Sequence, residues 1–498
     1  MSFFSTRGEN CVTASQAILQ GLAQDGGLYV PAMFPMVSLD KIASLGQMPY
    51  TQRAETILKL FLEDFSSGEI HEAVQAAYGG DRFRDAEVAP LRPLDECTWA
   101  LELFHGPTLA FKDMALQMLP HLIRMSAGKN GETREVAILV ATSGDTGKAA
   151  LEGFRDVEGT SCTVFYPLDG VSDVQRLQMV TTGGKNTHVI AVRGNFDHAQ
   201  TGVKELFSSP EFAAEMDRRG KTLSSANSIN FGRLAPQIVY YFSAYADLVA
   251  RGSIRCGELV NFCVPTGNFG NILAAYYAKQ MGLPVGRLIC ASNRNNVLTE
   301  FFDSGLYSTH RLFFKTISPS MDILVSSNLE RLLFEAADRD GELVKAWMGT
   351  LKECGSYNIG DQRREWLANL FWGGCADDHE TLEEIGKRFL RDHYLMDPHT
   401  AVASRVLSQY RIRHQDSTPT VLVSTASPYK FSRDVLAGIA GPEAVGGMDA
   451  FSCSEELERR SGVQMPEQVR NLQQLPIRHR AVCDAQDMGQ AVLREFDA

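Results

Sequence analysis

Val136-Ala137-Ile138-Leu139-Val140-Ala141 is an unbroken apolar run that stops at a glycine-rich turn, Thr142-Ser143-Gly144-Asp145-Thr146-Gly147-Lys148. A run this short with no polar alternation fits a strand buried on both faces, the signature of a parallel sheet covered by helices. Residues 162–166, 188–192, 259–264, 287–291 and 420–424 repeat the pattern, and helix-spaced stretches such as 197–207 and 272–281 separate most of them. Strand alternating with helix predicts an α/β fold with mostly parallel sheets. In such sheets ligands collect beyond the carboxyl ends of the strands, so a binding site is expected in the sequences at those ends.

Length and charge narrow the field. The 498 residues are enough for about three domains and a large core, and the formal charge of −12 repels a phosphate-rich polymer, so no nucleic-acid partner is expected. Ten cysteines are scattered without a CxxC pair or a zinc-ligand spacing, which predicts reduced, cytoplasmic usage and no metal centre. No apolar run approaches the ~20 residues of a membrane span, and the first residues lack a basic leader followed by an apolar core, so neither a membrane anchor nor a signal peptide is expected.

Residues 1–85 read as a mostly helical N-terminal domain, with apolar residues at helical spacing over 54–65 and 70–78. Residues 86–130 and 235–440 read as a large α/β lobe carrying a helical insertion at about 296–415, and residues 131–234 as a small α/β lobe. The polar stretch 441–498 reads as peripheral.

One lysine stands out. In His105-Gly106-Pro107-Thr108-Leu109-Ala110-Phe111-Lys112-Asp113 a turn leads into an apolar wall around Lys112, followed by the helix-like Met114, Ala115, Leu116, Met118 and Leu119. A desolvated lysine has a lowered pKa and becomes a nucleophile for a carbonyl cofactor. Gly144, Asp145, Thr146 and Gly147, with Ser143, supply hydroxyls, freed amides and a helix start suited to a substrate carboxylate. Val264-Pro265-Thr266-Gly267-Asn268-Phe269-Gly270-Asn271 is a strand, a Gly-rich loop and a helix start, an arrangement that holds phosphate on backbone N–H groups. Ser424-Thr425-Ala426-Ser427-Pro428 offers hydroxyls to a heterocyclic nitrogen. Ser224-Ser225-Ala226-Asn227-Ser228-Ile229-Asn230-Phe231-Gly232-Arg233 gathers neutral donors around one arginine, which suits a phosphate monoester. Taken singly, each of these is more often a turn, a helix cap or a snorkelling lysine; together they converge on one chemistry.

With these motifs the chain resembles the threonine synthase family, within the fold type II enzymes of pyridoxal phosphate (PLP) that include the tryptophan synthase β subunit. The similarity extends through Ser5-Thr6-Arg7-Gly8, Asp25-Gly26-Gly27-Leu28-Tyr29-Val30-Pro31, the Lys112 segment, residues 143–147, the Gly267 loop, Asp397-Pro398-His399-Thr400 and Ser424-Thr425-Ala426. The resemblance implies two mostly parallel-sheet lobes with a helical N-terminal domain. It implies that Lys112 bonds the PLP aldehyde, that Gly267, Asn268, Phe269, Gly270 and Asn271 hold its phosphate, and that Thr425 faces its ring nitrogen. It further implies that O-phospho-L-homoserine and water become L-threonine and phosphate, with the substrate carboxylate on residues 143–147. Asn227, Ser228, Asn230 and Arg233 are the candidate clamp for the leaving phosphate. Two alternatives differ in product or class: a phospho-lyase that releases 2-oxobutyrate, and a catalytically silent ligand-binding paralogue. A monomer or homodimer is expected. Two positions depart from the pattern: Ser427-Pro428-Tyr429 replaces the frequent His-Pro-Ala, and Asp145 stands where cysteine synthases carry Asn.

Overall fold

Strand Glu135–Ala141 sits inside a five-stranded sheet, between Thr160–Pro167 on one side and Lys221–Ser224 on the other, in a computed structural model of the chain. The structure describes residues 1–142, 144–168 and 170–497. Thr187–Arg193 continues the sheet beyond Thr160–Pro167, and every pairing in it is parallel. Helices Asp145–Phe154 and Phe196–Ser208 cover its faces, which is why Ile138, Val164 and Ile190 need no polar alternation.

The second sheet has six strands in the order Phe371–Cys375, Val285–Ser292, Val260–Pro265, Thr420–Ser424, Thr98–Glu102, Leu91–Asp95. All neighbours run parallel except the last pair, a hairpin at the edge. All six strands expected from apolar runs are present. Strand Phe371–Cys375 escapes a reading by composition because Trp372-Gly373-Gly374 interrupts the run; it also ties the insertion into the large sheet. Its glycines have a packing reason. A Cβ on Gly373 would lie 2.9 Å from the Thr299 backbone, in the helix Val297–Ser304 that crosses it.

The N-terminal region contains helices Tyr50–Leu58 and Ser67–Tyr78, but also a three-stranded antiparallel sheet in the order Cys11–Thr13, Ser2–Ser5, Tyr29–Pro31. The helix expected over 54–65 starts earlier and stops at Leu58. Beyond it Leu60 and Phe61 close tighter turns onto Ile57 and Leu58, so that Phe61 and Leu62 both enter the core. Asp64 then accepts the N–H of Ser15 at 3.0 Å.

Helix Phe231–Ala250 runs through the middle of the molecule, its residues buried on every side down to Leu248 apart from the half-buried Asp247. One continuous apolar cluster joins it to the N-terminal domain and both sheets, so the lobes share a core along this axis. Among the described residues, no helix is long and apolar enough to cross a membrane.

The stretch after 440 is more than a surface cover. Helix Ala450–Ser461 packs on Ser432–Ala440 beside the large lobe. The chain then crosses back, and Ala481–Asp484 adds in parallel to the edge strand of the small sheet. Helix Met488–Asp497 seals that edge with Met488, Ala491 and Val492. A strand of four residues is too short to show a periodic pattern, so only its pairing reveals it.

Candidate active site

Lys112, Thr266 and Thr425 come together because each lies at or beside the carboxyl end of a strand in the large sheet. Residues 109–111 lie antiparallel to residues 425–427. Phe111 N–H donates to Thr425 O at 2.8 Å, Ser427 N–H donates to Leu109 O at 3.0 Å, and Ala110 bridges Ala426. This pairing places the lysine beside Thr425, with Thr425 itself buried. Leu109 takes a left-handed conformation at φ 62°, uncommon for a branched residue, to turn the chain out of Gly106-Pro107-Thr108. Asp113 holds that turn, accepting from Thr108 N–H at 2.8 Å and Thr108 Oγ1 at 2.7 Å. Gly106 has no room for a side chain, since a Cβ there would lie 2.6 Å from Asp113.

The Lys112 amine is buried among these elements. It donates to Ser320 Oγ at 3.2 Å, lies 3.6 Å from Asp145 Oδ2, and sits 4.9 Å from the Phe111 ring centroid. Desolvation pushes its pKa down, Asp145 opposes this, and the cations Lys430 and Arg233 push it down further. The amine is thereby favoured in its neutral, nucleophilic form relative to an exposed lysine.

Asp145 is flanked by a second buried amine. Lys430 Nζ lies 2.9 Å from Asp145 Oδ1 and donates to Thr108 O at 2.8 Å, and Gln175 Nε2 donates to the same carboxylate oxygen at 3.3 Å. Burial pushes the Asp145 carboxyl up, but Lys430 and then Lys112 outweigh it and hold it well below the usual carboxylate range. An acid at this position is therefore balanced by the lysine that follows Ser427-Pro428-Tyr429. Lys430 belongs to none of the motifs above; its signal in the sequence is the aromatic pair around it, Tyr429 and Phe431, which echoes Phe111 before Lys112.

The turn at residues 143–147 has Ser143 outside the described residues. Gly144, at φ 144°, caps helix Asp145–Phe154. Thr142 Oγ1 accepts from Gly144 N–H at 2.9 Å and Gly147 N–H at 3.0 Å. Those two amides are committed to the turn. The N–H groups of Asp145 and Thr146 open the helix, where no intrahelical acceptor exists.

The Gly267 loop turns through Phe269 in a left-handed conformation (φ 64°) into helix Gly270–Gln280. It is clamped from one side. Ser326 Oγ donates to Gly267 O at 2.7 Å, and Asn328 donates to Asn268 O through both its backbone N–H and Nδ2. Gly267 presses on the next turn, where a Cβ would lie 2.7 Å from Ser320 O. Asn271 Oδ1 accepts from Tyr240 at 2.6 Å and Tyr241 at 2.7 Å, while its Nδ2 is buried with no partner among the described residues. A buried donor at a helix N-terminus with nothing to bond fits an incoming phosphate.

The clamp candidates separate sharply. Asn230 caps the long helix: Oδ1 accepts from Gly232 N–H at 2.8 Å and Nδ2 donates to Ile18 O at 2.9 Å. Asn227 is exposed and accepts from Ser228 Oγ at 3.2 Å. Arg233 differs from all of them. It is buried, it donates from Nη1 to Ala226 O at 2.9 Å, and its Nε has no partner among the described residues. Desolvation lowers its pKa to about 10, and among the described residues no carboxylate pairs with it. Gln237 links it to the Gly267 loop, donating to Arg233 O at 2.8 Å and lying 3.7 Å from where a Gly270 Cβ would be. Three basic side chains, Lys112, Lys430 and Arg233, thus face the one carboxylate of Asp145, a balance suited to anions.

Known proteins resemble this chain over most of its length. Residues 2–78 match the family model described as threonine synthase N terminus, and residues 87–347 match that of pyridoxal-phosphate dependent enzyme. Threonine synthase from Pseudomonas aeruginosa is 42% identical over 448 residues, covering 89% of this chain and 92% of its own. Human threonine synthase-like 1 is 41% identical over 458 residues, covering 88% of this chain; the chain spans 61% of that relative's length. The structure of PLP-bound threonine synthase from Brucella melitensis superposes with a TM-score of 0.88 at 37% identity, covering all of both chains.

Proposed function

The chain belongs to the threonine synthase family of PLP-dependent enzymes, and on that premise we propose that it converts O-phospho-L-homoserine and water to L-threonine and phosphate. The observation that carries this reading is a desolvated lysine amine sharing its site with a buried arginine that no carboxylate among the described residues neutralises. The first is what PLP needs; the second is what a substrate phosphate needs.

The residues present fit the cofactor. Lys112 would bond the aldehyde, Gly267 to Asn271 would hold the phosphate, with the free Asn271 Nδ2 as one donor, and Thr425 would face the ring nitrogen. Bound there, PLP supplies an electron sink for carbanions beside the substrate amine. The remaining work falls to the chain. The Asp145 and Thr146 N–H groups receive the substrate carboxylate. Arg233 holds the substrate phosphate and stabilises the charge that gathers as it departs from Cγ. The Lys112 amine, once free, relays protons one at a time: those leaving Cα and Cβ are balanced by one delivered to Cγ and one restored at Cα, and its lowered pKa suits both directions of transfer. Water then gives its hydroxyl to Cβ and its other proton to the departed phosphate, which completes threonine. The cytoplasm is the proposed compartment, in keeping with ten cysteines that are all unpaired.

The deciding experiment mixes the purified holoenzyme with O-phospho-L-homoserine and identifies the products. Threonine and phosphate in equal amounts support the proposal. 2-Oxobutyrate, ammonia and phosphate without threonine would instead make it a phospho-lyase. Lys112→Ala removes turnover and the visible cofactor absorbance in either case.

A further inference from the structure

The Asp397-Pro398-His399-Thr400 segment lies outside the cofactor and substrate contacts described so far, yet it reaches the lysine through one intermediary. Asp397 caps helix Pro398–His414, accepting from His399 N–H at 2.9 Å and Thr400 N–H at 3.4 Å, and Thr400 Oγ1 donates to its other oxygen. The His399 Nδ1 lies 2.7 Å from Asp397 Oδ1. A carboxylate already receiving these donors is an acceptor, so Nδ1 carries the ring proton. That leaves Nε2 of the neutral ring with a lone pair, and Ser320 N–H donates to it at 3.1 Å. Ser320 in turn accepts the Lys112 amine on Oγ, and its carbonyl packs against Gly267.

The turn Pro319–Met321 is therefore pinned between elements distant in the chain. Asp322 anchors its far side, accepting from Thr316 N–H at 3.0 Å, Asn293 at 2.8 Å and Asn295 at 2.9 Å. On the near side the bond to His399 holds Ser320, while the ring itself is steadied edge-on against Phe431 at 4.9 Å. We propose that His399, oriented by Asp397, is a positioning residue for Lys112: it sets the Ser320 turn whose hydroxyl aims the amine and whose backbone abuts the phosphate loop. The link from Asp397 through the ring and the turn to the lysine keeps the amine and the Gly267 loop in one register.

This rests on Lys112 as the cofactor lysine and is independent of which product the enzyme releases. The test uses the full-length chain. Cofactor is stripped with hydroxylamine, PLP is added back, and the return of visible absorbance is timed; kcat and KM are then measured on the reloaded protein. His399→Phe keeps the ring packing and loses the acceptor. It should slow recapture by ~10-fold and lower kcat by ~10–100-fold with KM within ~3-fold, the pattern of a misaimed group and not of lost substrate binding. His399→Gln, which offers Oε1 where Nε2 was, should recover most of the lost recapture rate. Ser320→Ala should reproduce the His399→Phe defect, and the double variant should be no worse than either single one. Wild-type recapture and kcat in His399→Phe would overturn the proposal. So would Gln failing as badly as Phe, or additive losses in the double variant. If His399→Phe does not fold, Ser320→Ala alone decides: normal recapture there removes the link.

Discussion

Lys430 Nζ lies 2.9 Å from Asp145 Oδ1, with both side chains withdrawn from water. The contact joins the lobes, for Asp145 opens the helix after strand Glu135–Ala141 of the small sheet and Lys430 follows the strand Thr420–Ser424 of the large one. The same carboxylate faces Lys112 at 3.6 Å, so one acid sits between two amines at the seam.

Lys430→Met leaves a buried carboxylate with a single, more distant cation. Breaking a buried pair from one side costs about 3 kcal/mol, to be read by urea denaturation at pH 7, and Asp145→Asn in the same chain should restore most of it. The pH sign follows from the depressed Asp145 value. Its stabilisation is present above the unfolded carboxyl pKa and lost as pH falls through the folded one, so acid unfolding of Lys430→Met should begin at higher pH than in the parent. Equal stability of single and double variants would show the pair to be idle.

Arg233→Met should separate stability from function. A buried guanidinium whose Nε is unpartnered is a cost to the fold; its removal should leave the holoenzyme unchanged or more stable by about 1 kcal/mol. Added inorganic phosphate should stabilise the parent holoenzyme by about 2.7 kcal/mol at a hundredfold excess over its dissociation constant and do nothing for the variant. A phosphate response in Arg233→Met would move the clamp elsewhere.

Gly267→Ala places a methyl 2.7 Å from Ser320 O and 3.3 Å from Met321 Cα, both backbone atoms that cannot swing aside. Overpacking of this kind costs about 1–3 kcal/mol. Because the displaced turn also carries the hydroxyl that receives Lys112, PLP should dissociate faster as well. Fluorescence of the bound cofactor during dilution measures that rate, and an unchanged rate would dissociate the loop from the lysine.

Asp113 titrates in the opposite sense. Desolvation raises its pKa to about 6 against the hydrogen bonds from Thr108. The neutral acid is the form the fold favours, so the stability tied to it is complete below the unfolded value near pH 4 and lost as pH rises through about 6. Linkage makes the difference about 3 kcal/mol. Comparing the parent with Asp113→Asn in urea at pH 4 and pH 7 should show the Asn variant gaining relative stability at the higher pH. A pH-independent gap would place Asp113 at an ordinary pKa.

Local chemistry made much of this protein readable along the chain. Apolar runs such as 136–141 have one stable use, a strand covered on both faces, and the glycine-rich turns that follow them have few conformations open to them. Lys112 could be singled out because its apolar neighbours are contiguous with it. What stayed hidden was short or shared. The strand Ala481–Asp484 has no pattern of its own and exists because the edge at Thr187–Arg193 is there to pair with it. Asn227, Ser228, Asn230 and Arg233 looked alike as polar residues in one stretch; only their partners show that Asn230 caps a helix while Arg233 is left with an unpaired buried donor.

The placement of Lys430 beside Asp145, and of His399 behind Ser320, belongs entirely to the folded chain. Hydrogen bonds and ion pairs act over about 3–4 Å, and the residues that form them here lie far apart in order, so their meeting depends on how two sheets pack around one buried helix. The covalent order determines which strands form and which side chain bears the reactive amine; the packing of the lobes decides what that amine touches, and hence its charge.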